Sequence, residues 1–204
     1  QPRSKICKGC WQQLRVPVPL YGPASIPFRV FGIRPSRMNP NTCTICELMF
    51  TKIMRARNIK LDATVLFADL RNFTALSQTQ TPESIAGLLD AFSDVCASAI
   101  WDGDGLLNKS FGDGVMAVFN FPIAQADHAK QGLLAAREIL RRWEARRSAL
   151  IEGLGISKEA LGVGIGIHCG ELSFGEFGRS HRDLTAIGNV VNLASRAQSV
   201  AVGG

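Results

Sequence analysis

Two aspartates in fixed backbone settings are the residues of this 204-residue chain best placed to do chemistry. Asp69 closes the apolar run Ala63-Thr64-Val65-Leu66-Phe67-Ala68-Asp69-Leu70, which reads as a buried strand. Asp113 stands in Gly112-Asp113-Gly114 between two apolar stretches, the pattern of a hairpin tip. Carboxylates held this way are rigid oxygen ligands, and together they would suit hard divalent cations and phosphoryl transfer. Asn192 and Arg196 are four residues apart on an expected helix, hence on one face. A separate set of thiols is Cys7-Lys8-Gly9-Cys10 and Cys43-Thr44-Ile45-Cys46. Each pair can wrap a metal with both sulfurs. Four thiolates would hold zinc in a tetrahedron or an iron–sulfur cluster; reduced free thiols are the remaining reading. Neither pair is followed by histidine, which argues against covalent haem. Cys96 and Cys169 lie in apolar context and read as small core residues.

The elements that must position these groups alternate from Leu61 onward. A strand is expected over Thr64 to Leu70, then a helix opened by Thr81-Pro82 with apolar residues at helical spacing from Ile85 to Ile100. A hairpin follows, Gly105 to Phe111 and Val115 to Phe119, with both terminal phenylalanines read as sheet core. A long helix runs from about Ala124 through the arginine-rich stretch 137–147. Leu161 to His168 reads as a strand, Glu171 to Glu176 as its hairpin partner, and Val191 to Val200 as a last helix. The order strand, helix, strand, strand, helix, strand is an α+β, ferredoxin-like βαββαβ arrangement. Residues 1–46 differ in texture. They hold β-like runs at Arg15–Leu20 and Pro27–Ile33 around the turn Tyr21-Gly22-Pro23, with too few apolar residues for a core of their own. That predicts a small four-cysteine unit over 1–46 (a stapled β-hairpin of treble-clef type), a linking helix over 47–60, and the main domain over 61–204.

Composition narrows the classes. Apolar content is 46% and charged content 20%, which is globular. The net charge of +6 suits a polyanionic ligand such as a nucleotide. Glutamates interleave the arginine cluster, with Glu138 four before Arg142, so a solvated helix face is the better reading than a nucleic-acid surface. No apolar run is read as long enough to span a bilayer. No secretory leader is visible, and the cysteine pattern is not that of a disulfide scaffold, so a reducing cytoplasm is expected. His128 and His181 read as surface residues, and His168 as a core or edge histidine without a role.

Four segments, Phe67–Thr74, Lys109–Phe119, Gly164–Glu171 and Asp183–Arg196, together resemble the class III nucleotidyl cyclase catalytic domain, in that family's order and at plausible separations. The resemblance implies that Asp69 and Asp113, with the Leu70 carbonyl, hold two magnesium or manganese ions. The turn Asn72-Phe73-Thr74 would face phosphate oxygens, with Asn72 where the family commonly has glycine. Lys109 and Thr185 would read the purine as adenine, since the glutamate and cysteine of guanylyl cyclases are absent at these positions. Asn192 would orient the ribose, and Arg196 would stabilise the charged phosphorus in the transition state. It further implies a homodimer with two shared sites, metal carboxylates from one subunit and the purine and Asn/Arg pairs from the other. The expected activity is conversion of ATP to 3′,5′-cyclic AMP and pyrophosphate. A guanylyl cyclase, or a catalytically silent nucleotide-binding or redox-sensing module, are the alternatives. Gly204 comes before the final strands such a domain implies, including a loop bearing a triphosphate-binding lysine, so either the sequence is a fragment or its triphosphate contacts differ.

Overall fold

The computed structural model describes residues 3–56, 58–156, 161–177 and 183–202; His181 lies outside them. Its centre is a five-stranded antiparallel sheet in the order β2-β3-β1-β4-β5. The strands are β1 (Ile59–Leu70), β2 (Leu106–Phe111), β3 (Gly114–Phe119), β4 (Val163–Phe177) and β5 (Asp183–Ile187). Between them run the short α4 (Phe73–Ser77), α5 (Pro82–Asp102) and α6 (His128–Leu154), and α7 (Asn189–Val200) follows β5. This is the expected βαββαβ order with one strand added at the β4 edge. Thr81 caps α5 by accepting from the Ser84 amide at 3.3 Å, and Pro82 occupies its first turn, where a missing N–H is harmless.

Alternation along β1 divides the protein into two apolar layers, because successive side chains of a strand point to opposite faces. Leu66, Ala68 and Leu70 pack with Leu88, Phe92, Ile139 and Trp143 of α5 and α6. Ala63 and Val65 pack instead with Val190 and Ala194 of α7 and with the N-terminal cysteines, Val18 and Leu20. Trp143 is buried and donates its indole N–H to the Leu161 carbonyl at 2.9 Å. On the outer side of α6, Arg142 pairs with Glu138 at 2.7 Å and reaches Asp102 of α5 at 2.5 Å, as a solvated, charge-paired face should. By length and composition α5 could cross a bilayer, contrary to the sequence reading, but 44% of that window is buried in the protein against the sheet.

Several sequence expectations need correction. Glu171–Glu176 is not the hairpin partner of Leu161–His168; both belong to the fifteen-residue β4. Gly170, at φ 147°, lets the strand continue through an irregular backbone, and β1 is long enough to pair with both halves, from Leu70–Val163 to Ile59–Phe174. The hairpin partner is β5. The N-terminal segment holds no named strand. It consists of α1 (Lys8–Leu14), α2 (Ile26–Val30) and α3 (Thr44–Ala56), with isolated bridges at Ile6–Pro19 and Pro35–Cys43. Pro27, read as the start of a β-like run, sits in the first turn of α2, where proline is compatible with helix. The linking helix stops at Ala56, so residues 59 and 60 begin β1. Phe111 and Cys169 are exposed, not core. His128 is no free surface residue: its Nδ1 lies 2.8 Å from the Thr64 hydroxyl.

The N-terminal segment docks on the corner between α5 and β2. Asn39 donates to the Gly105 carbonyl at 3.0 Å, Asn41 bonds both the Trp101 carbonyl and Asp104, and Lys8 pairs with Asp104. The Trp101 indole N–H returns a bond to the Met38 carbonyl at 2.9 Å.

Helix α7 lies directly on the backbone of β4. A Cβ on Gly166 would collide with the Ala194 carbonyl and the Gln198 amide, groups that cannot rotate aside. Gly166→Ala is therefore expected to destabilise the protein by about 2–3 kcal/mol, read as a lowered denaturant midpoint. An unchanged midpoint would show that α7 does not sit in this contact in solution.

Candidate active site

The end of β1 and the β2–β3 turn form one acidic corner. Asp69 pairs with Gly114 across the ladder. A Cβ at Gly114 would stand 2.8 Å from Asp69 Oδ2, so glycine leaves the space the carboxylate fills. The Leu70 amide donates to the Asp113 carbonyl at 3.0 Å, which pins the turn to the strand end. Burial pushes Asp69 up to about 6, the neighbouring Asp113 charge adds to the rise, and Arg71 partly opposes it. A buried carboxylate facing a second carboxylate is the kind of oxygen pair that suits a divalent cation. Immediately after, Asn72 adopts a left-handed backbone, φ 60° and ψ 15°, and starts α4. Asparagine tolerates that region better than most residues. Asn72 and Thr74 are exposed, whereas Phe73 packs on the core.

Lys109 lies on β2 beside a register shift between Leu107 and Lys109. Such a bulge re-aims the following side chain, here onto the face shared by Met116, Phe67 and Asp69. Thr185 pairs with Gly175 on β5, the opposite edge of the sheet. The sheet thus does not bring Lys109 and Thr185 together directly: β3, β1 and β4 stand between their strands. On α7 Asn192 and Arg196 are both exposed, while Val190 and Ala194, two positions out of phase, are buried. Asn192 and Arg196 therefore face away from their own sheet and are available to a ligand or a second chain.

Sequence reasoning passed over Arg71. Its guanidinium donates to the Gln198 carbonyl and, at 3.5 Å, to the Ser199 carbonyl at the end of α7. It occupies the volume a side chain at position 164 would need. The one available signal was the alternate-glycine pattern Gly162, Gly164, Gly166, which marks backbone that something approaches closely.

At the other end of the molecule Cys7, Cys10, Cys43 and Cys46 are all buried, and their sulfurs lie within 4.8 Å of one another. Three Sγ–Sγ separations are 3.4, 3.6 and 3.6 Å. Cys7 Sγ accepts from the Cys10 and Cys43 amides at 3.3 and 3.2 Å. A Cβ on Gly9 would come within 2.9 Å of the Cys46 sulfur, so the glycine inside the first pair leaves room for the second. Burial raises Cys10 to about 12, while hydrogen bonds from Cys46 and Cys7 hold Cys43 low.

Residues 56–204 match the family model described as the adenylate and guanylate cyclase catalytic domain. The chain belongs to this family. The cyclase domain is 31% identical over 140 residues to adenylate cyclase 1 of Rhizobium meliloti, an alignment covering 68% of this chain and 21% of that protein. It is 32% identical over 138 residues to the adenylate cyclase of Anabaena cylindrica, covering 67% of this chain and 27% of the relative. The matches thus span only about a fifth to a quarter of those relatives. Among solved structures, the adenylyl cyclase CyaB from P. aeruginosa superposes with TM-score 0.67 at 29% identity, covering 72% of this chain and 76% of that one. The guanylyl cyclase Cya2 superposes with TM-score 0.65 at 28% identity, covering 72% and 73%. The cyclase fold and the nucleotide cyclase class follow from these matches.

Proposed function

We propose that this cyclase domain converts ATP to cyclic AMP and pyrophosphate in a homodimer with two shared sites. The observation that carries the reading is the meeting of Asp69 with the Asp113 turn at the end of β1. Asp69, Asp113 and the Leu70 carbonyl would hold two magnesium or manganese ions, which supply Lewis-acid activation of the ribose hydroxyl and of the triphosphate. The N–H groups opening the turn at Asn72, Phe73 and Thr74 would meet phosphate oxygens. The outward aspect of Asn192 and Arg196 supports their delivery to a partner's nucleotide. Arg196 fits the pentavalent phosphorus because its charge is permanent and its donors match phosphate oxygens.

Adenine over guanine rests on Lys109 and Thr185 at the family's purine positions. Initial rates with manganese-ATP and manganese-GTP test it, and the expected ratio favours ATP. The double substitution Lys109→Glu with Thr185→Cys is expected to shift preference toward GTP by about tenfold or more, since a mispaired buried base edge is heavily disfavoured. A wild-type preference for GTP would favour guanylyl cyclase, and no product from either nucleotide in an intact dimer would leave the silent module.

For the thiolates we propose a single zinc ion. Zinc–sulfur bonds of about 2.3 Å give tetrahedral edges of about 3.8 Å, close to the separations found. An iron–sulfur cluster interposes several irons and sulfides between its cysteines, so it needs ligands spread further apart than this set. Metal-ligating thiolates need a reducing compartment, so we propose that the protein is cytoplasmic.

A further inference from the structure

We infer that Arg71 is a positioning residue that fixes α7, and with it Asn192 and Arg196, to the metal-bearing end of β1. This rests on the shared-site dimer proposed above and deepens it. Arg71 follows Leu70, the last residue of β1, and its own amide is held by the Gly162 carbonyl at 2.8 Å. Its side chain crosses β4 where Gly164 offers no side chain and ends on the Gln198 and Ser199 carbonyls. These carbonyls belong to the last turn of α7, whose negative end favours a cation, and Gln198 also accepts the capping Ala201 amide at 3.2 Å. Arg196 lies half a turn earlier on the same helix. Arg71 Nε is buried without a partner, so the side chain's geometry is set by the two carbonyls rather than shared among several acceptors.

In a shared-site dimer the consequence is directional. The carboxylates beside Arg71 serve one nucleotide, whereas the α7 it holds serves the other. Loss of Arg71 should therefore damage chiefly the site to which that subunit lends α7; at the site to which it lends Asp69 it removes only a charge that partly opposes the carboxylate's raised proton affinity.

Mixed dimers separate the two. Asp69→Ala and Arg196→Ala chains are each expected to be inactive, and their mixture should regain activity from one intact site per mixed dimer. That site takes α7 from the Asp69→Ala chain and its carboxylates from the Arg196→Ala chain. Arg71→Met placed in the Asp69→Ala chain is expected to lower the restored kcat by about 10- to 100-fold, with KM for manganese-ATP little changed and Arg71→Lys recovering part of the loss. The same substitution in the Arg196→Ala chain should cost far less at saturating manganese, because there Arg71 reaches the working site only through its charge on Asp69. Equal loss in both arrangements, loss only in the second, or loss in neither overturns the assignment. Failure of the mixture to regain activity with Arg71 intact would sink the shared-site reading instead. Arg71 would then be judged by amide exchange: Arg71→Met should speed exchange in residues 196–202 and Arg71→Lys should slow it again, and unchanged exchange refutes the tie.

Discussion

Asp69→Asn is expected to abolish cyclic nucleotide formation and, in metal-free protein at pH 7.5, to raise the melting temperature by a few degrees. Both halves follow from the same geometry. The carboxylate is partly buried, lies against Gly114 and faces the Asp113 charge, so its proton affinity is raised from the ordinary 3.8 to about 6. A carboxyl whose folded value exceeds its unfolded one stabilises the fold fully below about pH 4. That contribution is lost as pH rises through about 6, because the folded state then holds an unwelcome charge. Asparagine keeps the shape and removes the charge, which flattens this dependence. It also removes the proposed metal ligand, so turnover should fall by about a thousandfold or more. Manganese should stabilise the wild type by mass action and leave Asp69→Asn unmoved. For the same reason the manganese concentration giving half-maximal activity should climb as pH drops below 6, where a proton competes for Asp69. Thermal melts with and without manganese, at pH 5, 6 and 7.5, read all of this. A variant that retains turnover, or that melts well below the wild type in the absence of metal, would place Asp69 in the scaffold rather than at the metals.

That acidic corner was legible in the sequence because each aspartate has its local reason written beside it: a β-branched and aromatic run before Asp69, and glycine on both sides of Asp113. The order of strands and helices from Leu61 was legible for the same cause, since periodicity is a local property. What failed was decided by distant partners. Nothing near Gly170 says that β1 is long enough to pair with both Ile167 and Leu172, so one strand was read as two. Pro27 carries the same φ in an extended run and in a first helical turn, and only the packing of Phe28 and Ile33 around the cysteines selects the helix. His128 looked solvated beside Asp127 because its partner, Thr64, is sixty-four residues away. Arg71 belongs to this class as well, since its acceptors come from a helix more than a hundred residues later.

If the four cysteines hold zinc as proposed, its withdrawal is expected to unfold more than the segment that carries them. Cys7, Cys10, Cys43 and Cys46 share one apolar cluster with Leu106, Met116, Val118 and Phe174 of the sheet. Beyond that cluster and the polar bonds to the α5–β2 corner the segment buries little: Trp11, Leu14, Val30 and Phe31 are exposed, and α2 has five residues, none fully buried. Structural zinc sites contribute apparent binding free energies of about 10–16 kcal/mol in small peptides, which matches or exceeds the roughly 5–15 kcal/mol stability of a whole domain. Loss of the ion would also leave four buried sulfurs within 4.8 Å of one another, either protonated or in mutual repulsion. A strong chelator, or Cys43→Ser, should therefore lower the melting temperature by about 15 °C or more and expose the sheet face to a hydrophobic dye. The colourless protein should release one zinc per chain, and cobalt should replace it with the intense visible bands of a tetrahedral thiolate site. Because β1 runs from this face to the acidic corner, activity should be lost together with the fold and not before it. Iron with acid-labile sulfide would replace the zinc assignment with a cluster. A metal-free chain with an unchanged melting temperature would instead show that Lys8, Asn39 and Asn41 hold the α5–β2 corner on their own.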